Sequence, residues 1–104
     1  MAWKYDLGAT ATALRTTIMN SEEDAEGCLA TLNALRACYA KVKELLTEED
    51  YVAYGFDEMA EEMEIIRSGI EFGDDDDDEA VANTDYALGV FYDLCDDCRI
   101  WVTL

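Results

Sequence analysis

TEEDYVAYGFDEMAEEMEIIRSGIEFG, residues 47–73, is the stretch that decides how this chain folds. Val52, Phe56, Met59, Met63, Ile66 and Ile70 recur at steps of four and three, which aligns them along one stripe of an α-helix. Thr47 offers an N-cap oxygen, and Glu48, Glu49 and Asp50 follow it where acids suit the positive end of the helix dipole. Gly73 supplies a stop. The spacing predicts one helix across the segment, roughly 35 Å long at 1.5 Å per residue.

The same period continues outward in both directions. Downstream, Asp74 to Glu79 is a self-repelling charge run and reads as a loop. A further helix from about Asp78 to Cys98 would turn Val81, Thr84, Leu88, Phe91 and Cys95 inward. Upstream, Ser21 is a candidate N-cap with Glu22, Glu23 and Asp24 behind it, opening a helix that runs to about Leu46. Its seam reads Ala25, Cys28, Leu32, Leu35, Tyr39, Val42 and Leu46. A first helix from about Leu7 to Met19 carries Leu7, Ala11, Leu14 and Ile18. The expected fold is mainly α, a small antiparallel bundle of about four helices forming one acidic domain over residues 1–104. Trp3-Lys4-Tyr5 and Ile100-Trp101-Val102 are short, aromatic and alternating. They suit either a minor β pairing between the ends or an apolar clasp without ladder bonds.

The 104 residues include 25 acids, 7 bases and no histidine, for a formal charge of −18. A surface of that sign repels nucleic acid and anionic membrane, so neither is an expected direct partner. No apolar run of about 18 residues is present and the start lacks a signal-type core, which points to the cytoplasm. Without histidine, the commonest general base and the Ser/His and Cys/His pairs are missing, and no enzymatic activity or cofactor is expected. Cys28 and Cys38, ten residues apart on one helix, stand roughly 15 Å apart and cannot bridge. Cys95-Asp96-Asp97-Cys98 has redox or zinc spacing, but two aspartates and a helix C-terminus disfavour the thiolate, so all four thiols read as small core residues.

The charge is concentrated. Residues 1–47 hold six acids and five bases, whereas residues 48–97 hold 19 acids against Arg67 alone. Spread along a helix of that predicted length, 19 acids give about one charge per 1.9 Å, close to the ≈ 1.7 Å of duplex DNA. Asp50, Asp57, Glu61 and Glu64 fall opposite the apolar stripe, flanked by Glu58 and Glu62, and Asp78, Asp85, Asp93 and Asp96 fall opposite that of the last helix. With Asp74, Asp75, Asp76, Asp77 and Asp78 at the tip, the two stripes would make one acidic surface. Tyr54 and Ile65 project among its carboxylates, with Tyr51 and Tyr86 near the outer faces, as apolar contacts for a partner.

Other readings of the acids are weaker. Solubility needs a net charge of only about 2 to 8, and like charges at i, i+4 such as Asp57/Glu61 and Glu58/Glu62 each oppose helix formation by ~0.2–0.5 kcal/mol. Asp74, Asp76, Asp78 and Asp85 occupy positions 1, 3, 5 and 12 of an EF-hand-like loop. Glu79 stands where that loop needs glycine and Asp85 is short for bidentate reach, so no metal site is expected.

The charge organisation of residues 48–97 resembles that of small acidic DNA-mimic inhibitors of phages and other mobile elements, of the anti-CRISPR or antirestriction type. These share a strategy rather than an aligned motif. The resemblance implies carboxylates standing in for phosphates in the basic channel of a nuclease, a CRISPR or restriction component or another nucleic-acid-binding protein, within the host cytoplasm. An immunity protein or antitoxin covering a basic toxin, or an acidic adaptor, would show the same asymmetry. Ile65 would also suit a homodimer that extends the acidic surface across two chains.

Overall fold

Five helices and a two-residue strand pairing make up the fold in a computed structural model, which describes residues 5–20, 24–73 and 76–101. In chain order these are β1 (Tyr5–Asp6), α1 (Ala9–Asn20), α2 (Ala25–Leu45), α3 (Glu48–Ala53), α4 (Phe56–Glu71), α5 (Asp77–Asp97) and β2 (Ile100–Trp101). The mainly α bundle expected from periodicity is what forms, with one helix more than expected.

The extra helix arises at Gly55. The segment 47–73 does not run as one rod, because Gly55 adopts φ +89, a left-handed conformation open to glycine at little cost, and the chain re-enters α geometry at Phe56. This break resets the rotational phase. Tyr51, expected near an outer face, is 7% exposed and stacks on Phe56 with ring centroids 5.4 Å apart. Val52, expected in the seam, is 52% exposed. Thr47 caps α3 as its sequence suggests, its hydroxyl accepting from the Asp50 N–H at 3.1 Å. Gly73, at φ +77, follows the α4 C-cap, and its N–H donates to the Ile70 carbonyl.

The start of α2 also differs from expectation. Asp24 is the N-cap, its carboxylate accepting from the Gly27 N–H at 2.8 Å, so α2 begins at Ala25 rather than after Ser21. Ser21, Glu22 and Glu23 lie outside the described residues. Aspartate and serine serve this position equally well, so local sequence does not select between them.

α2 lies at the centre, packed on α1, α4 and α5. α1 and α4 run antiparallel to it: the Cys38 thiol meets the Thr10 carbonyl at the start of α1, and Tyr39 packs on Phe56 at the start of α4 while Arg36, earlier in α2, meets Glu64 further along α4. α5 runs parallel to it, with Asp77 at Ala25 where both helices begin and Phe91 against Tyr39 further along. Tyr39, Phe56 and Phe91 form an edge-to-face aromatic knot between α2, α4 and α5. Phe56 and Phe91 are fully buried, and each such burial contributes ~1.5–3 kcal/mol. Leu7, Leu14, Leu32, Leu35, Val42, Met63 and Ile70 complete one continuous core, as their spacing predicts.

The ends do pair. β1 and β2 run parallel, Tyr5 opposite Ile100 and Asp6 opposite Trp101. Trp3, Lys4 and Val102, the other residues of the expected pairing, lie outside the described residues. Arg99 turns the chain from α5 into β2 with φ +63, and its carbonyl accepts from the Tyr5 N–H at 3.3 Å. No described helix is long and apolar enough to cross a membrane.

Candidate functional site

The acidic segment folds into α3, α4 and α5, and most of its carboxylates reach solvent. Asp50 on α3, Asp57, Glu58 and Glu61 on α4, and Asp78, Asp85, Asp93 and Asp96 on α5 are exposed and have no ion pair with a described residue. Asp97, not singled out in the sequence, is exposed as well. Tyr54, Ile65 and Tyr86 stand among these acids at 43%, 67% and 53% exposure.

Glu64 is a correction. Rather than facing solvent as a free carboxylate, it accepts from Nε and Nη2 of Arg36 on α2, and from Arg67 Nε at 3.2 Å. At 100° per residue Glu64 sits on the flank of α4 that turns toward α2, a direction fixed by tertiary packing and not by the α4 sequence. Arg67 also donates to Glu71 at 2.9 Å, so the one base of residues 48–97 is engaged on that same flank. The Arg36 hydrogen bond holds the Glu64 carboxyl below the usual range, partial burial works against it, and Arg67 adds to the lowering.

The aspartate run is partly committed to the fold. Asp76 caps α5, accepting from the Glu79 N–H at 2.8 Å, and Asp77 accepts from the Ala25 N–H at the first turn of α2, at 3.2 Å. Both act on helix N-termini, where an anion is favourable. Asp74 and Asp75 lie outside the described residues. Helix begins at Asp77, so the stretch from Asp77 to Asp85 is not the open loop an EF-hand requires. Among the described residues no group of three or more His, Cys, Asp or Glu side chains converges as a metal site.

The four cysteines are free and buried. Burial pushes the Cys38 thiol up to about 11; it does the same for Cys98, with Asp97 and Asp50 adding to the shift. Burial raises Cys95 further in the same direction. These are poor nucleophiles at neutral pH.

Where α4 and α5 meet, a small groove is lined by Met59, Glu62, Met63 and Ile66 from α4, by Tyr86, Ala87 and Val90 from α5, and by Tyr39 from α2. Met59 and Ile66 are seven residues apart, so the α4 residues that line it span about 10 Å along the helix. Glu62 is half-buried on its wall. The sequence places Tyr86 near the outside and Met59 and Ile66 in the seam, and it assigns Val90 to neither. The facing pairs Glu58/Glu62 and Asp93/Asp97, spaced i, i+4, carried the one signal that these flanks border open surface.

Comparison with protein-family models, curated proteins and solved structures returned no match to this chain.

Proposed function

We propose that the protein is a non-enzymatic inhibitor that occupies the basic nucleic-acid-binding surface of a target protein, its carboxylates standing in for phosphates. The observation that carries this reading is the asymmetry of unpaired charge. From Ala9 to Leu46 the chain holds five acids and four bases, a sum of −1. Within α3, α4 and α5 the exposed carboxylates meet a single base, Arg67, which is already paired, and Arg99 follows just after α5. A field of this kind speeds encounter with a cationic groove, and rim carboxylates then pair with its Arg and Lys side chains.

The test begins with affinity capture and mass spectrometry, with and without nuclease treatment, to identify the target. Fluorescence anisotropy of a labelled duplex on that target then measures competition. Displacement of the duplex is expected, with inhibition weakening steeply as salt rises. A target that holds this protein and its nucleic acid at the same time refutes the proposal.

A further inference from the structure

We infer that the α4–α5 groove is a docking site for an amphipathic cationic helix of the partner. This rests on the reading of the acidic flank as a receptor for a basic protein and names the element it receives. α2 packs on both α4 and α5, while along the α4–α5 junction Tyr86 is exposed and Met59, Ile66 and Val90 are partly exposed. An antiparallel helix pair with a partly exposed apolar seam offers the geometry into which a further helix packs, reading anchors at i, i+3, i+4 and i+7. The two turns of α4 from Met59 to Ile66 match a partner of two to three turns.

Charge selects which helix. Glu58, one turn before Glu62, and Ile65, three residues after it, share the α4 edge of the groove. On α5, Glu79 lies seven residues before Tyr86, and Asp93 and Asp97 lie three and seven after Val90, which puts them on the opposite edge. Glu58, Glu62, Glu79, Asp93 and Asp97 therefore border an apolar strip, and none forms an ion pair with a described residue. A second copy of this chain would bring the same five carboxylates against themselves, so self-association across this face is disfavoured. A helix with an aliphatic seam and Lys or Arg on both flanks satisfies strip and edges together. The exposed Ile65 and Tyr86 would be its main apolar contacts, a role that burial in the core cannot explain for them.

Two synthetic peptides of identical composition test this. One places Leu at i, i+3, i+4 and i+7 with Lys and Arg flanking; the other has the same residues reordered so that no apolar face forms. Fluorescence anisotropy should show the amphipathic peptide binding the wild-type protein at least about tenfold tighter than the reordered one. The double variant Ile65→Ser, Tyr86→Ser, altering two exposed positions, should erase that preference while leaving the reordered peptide's affinity and the helical circular dichroism unchanged. Glu58→Gln, Glu62→Gln, Asp93→Asn should weaken both peptides alike. Equal affinity of the two peptides for wild type, or a preference that survives Ile65→Ser, Tyr86→Ser, overturns the inference. So does a dimer of the free protein, detected by sedimentation, that the double variant dissociates. Duplex displacement from the captured target that persists in the double variant leaves the inhibitor reading standing and removes this groove from it; peptide preference without duplex displacement does the reverse.

Discussion

Glu61 and Glu64 stand three residues apart on α4, yet their replacement by glutamine should move stability in opposite directions. Glu64 ties α4 to α2 through two N–H donors of Arg36 and one of Arg67. Its side chain is 37% exposed and that of Arg36 is 46% exposed, so solvent screens the pair. With that discount, a forked guanidinium–carboxylate contact contributes about 1 kcal/mol, the upper end for surface pairs. In a domain of this size a loss of ~1 kcal/mol lowers Tm by about 4 °C. Glu61 has no ion-pair partner among the described residues and faces Asp57 at i−4, so Glu61→Gln removes a repulsion of ~0.2–0.5 kcal/mol and should leave Tm unchanged or slightly raised. Thermal melts followed by far-ultraviolet circular dichroism at neutral pH and low salt measure both. Acid supplies a second check. A folded-state value below the ordinary one makes the Glu64 contribution fully present above the unfolded value, roughly 4.3, and lost as pH falls through the folded value. The gap between wild type and Glu64→Gln should therefore close in acid. Shifts of equal sign and size for the two variants at neutral pH, or a gap undiminished at about pH 2, would refute the assignment of Glu64 to the fold.

Gly55→Ala should destabilise by about 1–2 kcal/mol in chemical denaturation, because the alanine must hold a left-handed backbone, although nothing crowds its added carbon. Cys38 and Cys98, with thiols raised to about 11 by burial, should resist a thiol reagent in the folded protein at neutral pH and react on unfolding; rapid labelling of the native state would contradict their placement. Asp96→Asn with Asp97→Asn should raise unfolding free energy by about 0.3–1 kcal/mol, since both aspartates oppose the C-terminal pole of α5, and should weaken capture of the target.

Periodicity made the core legible because burial repeats with the helix. Leu14, Leu35, Val42, Met63, Ile70 and Phe91 were inward by spacing alone and are buried. It failed where a single backbone choice changes the phase. The four-three pattern through Val52 and Phe56 survives a break at Gly55 on paper, but a left-handed residue there rotates α3 so that Tyr51 takes the inner position. The surface was legible in composition and only partly in direction. Asp57, Glu58, Glu61, Asp85, Asp93 and Asp96 face water as their azimuth predicts. Glu64 does not remain free, because its fate depends on Arg36, 28 residues away on another helix. Asp77 likewise finds the first N–H of α2, 52 residues away in sequence. Neither distance leaves a trace in local periodicity.

Separating the acids by what they do for folding sharpens the case for a partner. Glu48, Glu49 and Asp50 begin α3, Asp57 and Glu58 begin α4, and Asp76 to Glu79 begin α5, all at poles where negative charge is favourable. Glu64 and Glu71 are paired with arginines. Among the described residues of this segment, what remains is Glu61, Glu62, Asp85, Asp93, Asp96 and Asp97, to which neither a pole nor an ion pair gives a folding role. Asp96 and Asp97 occupy the last turn of α5, which contains no base, at the pole where an anion is unfavourable. Folding alone gives no reason for acids there, and solubility could be met at any exposed position without opposing a dipole. The proposed cationic receptor would give such a reason: Asp97 extends the edge running from Tyr86 through Val90 and Asp93, so its cost to the helix would be offset in the complex rather than in the free protein.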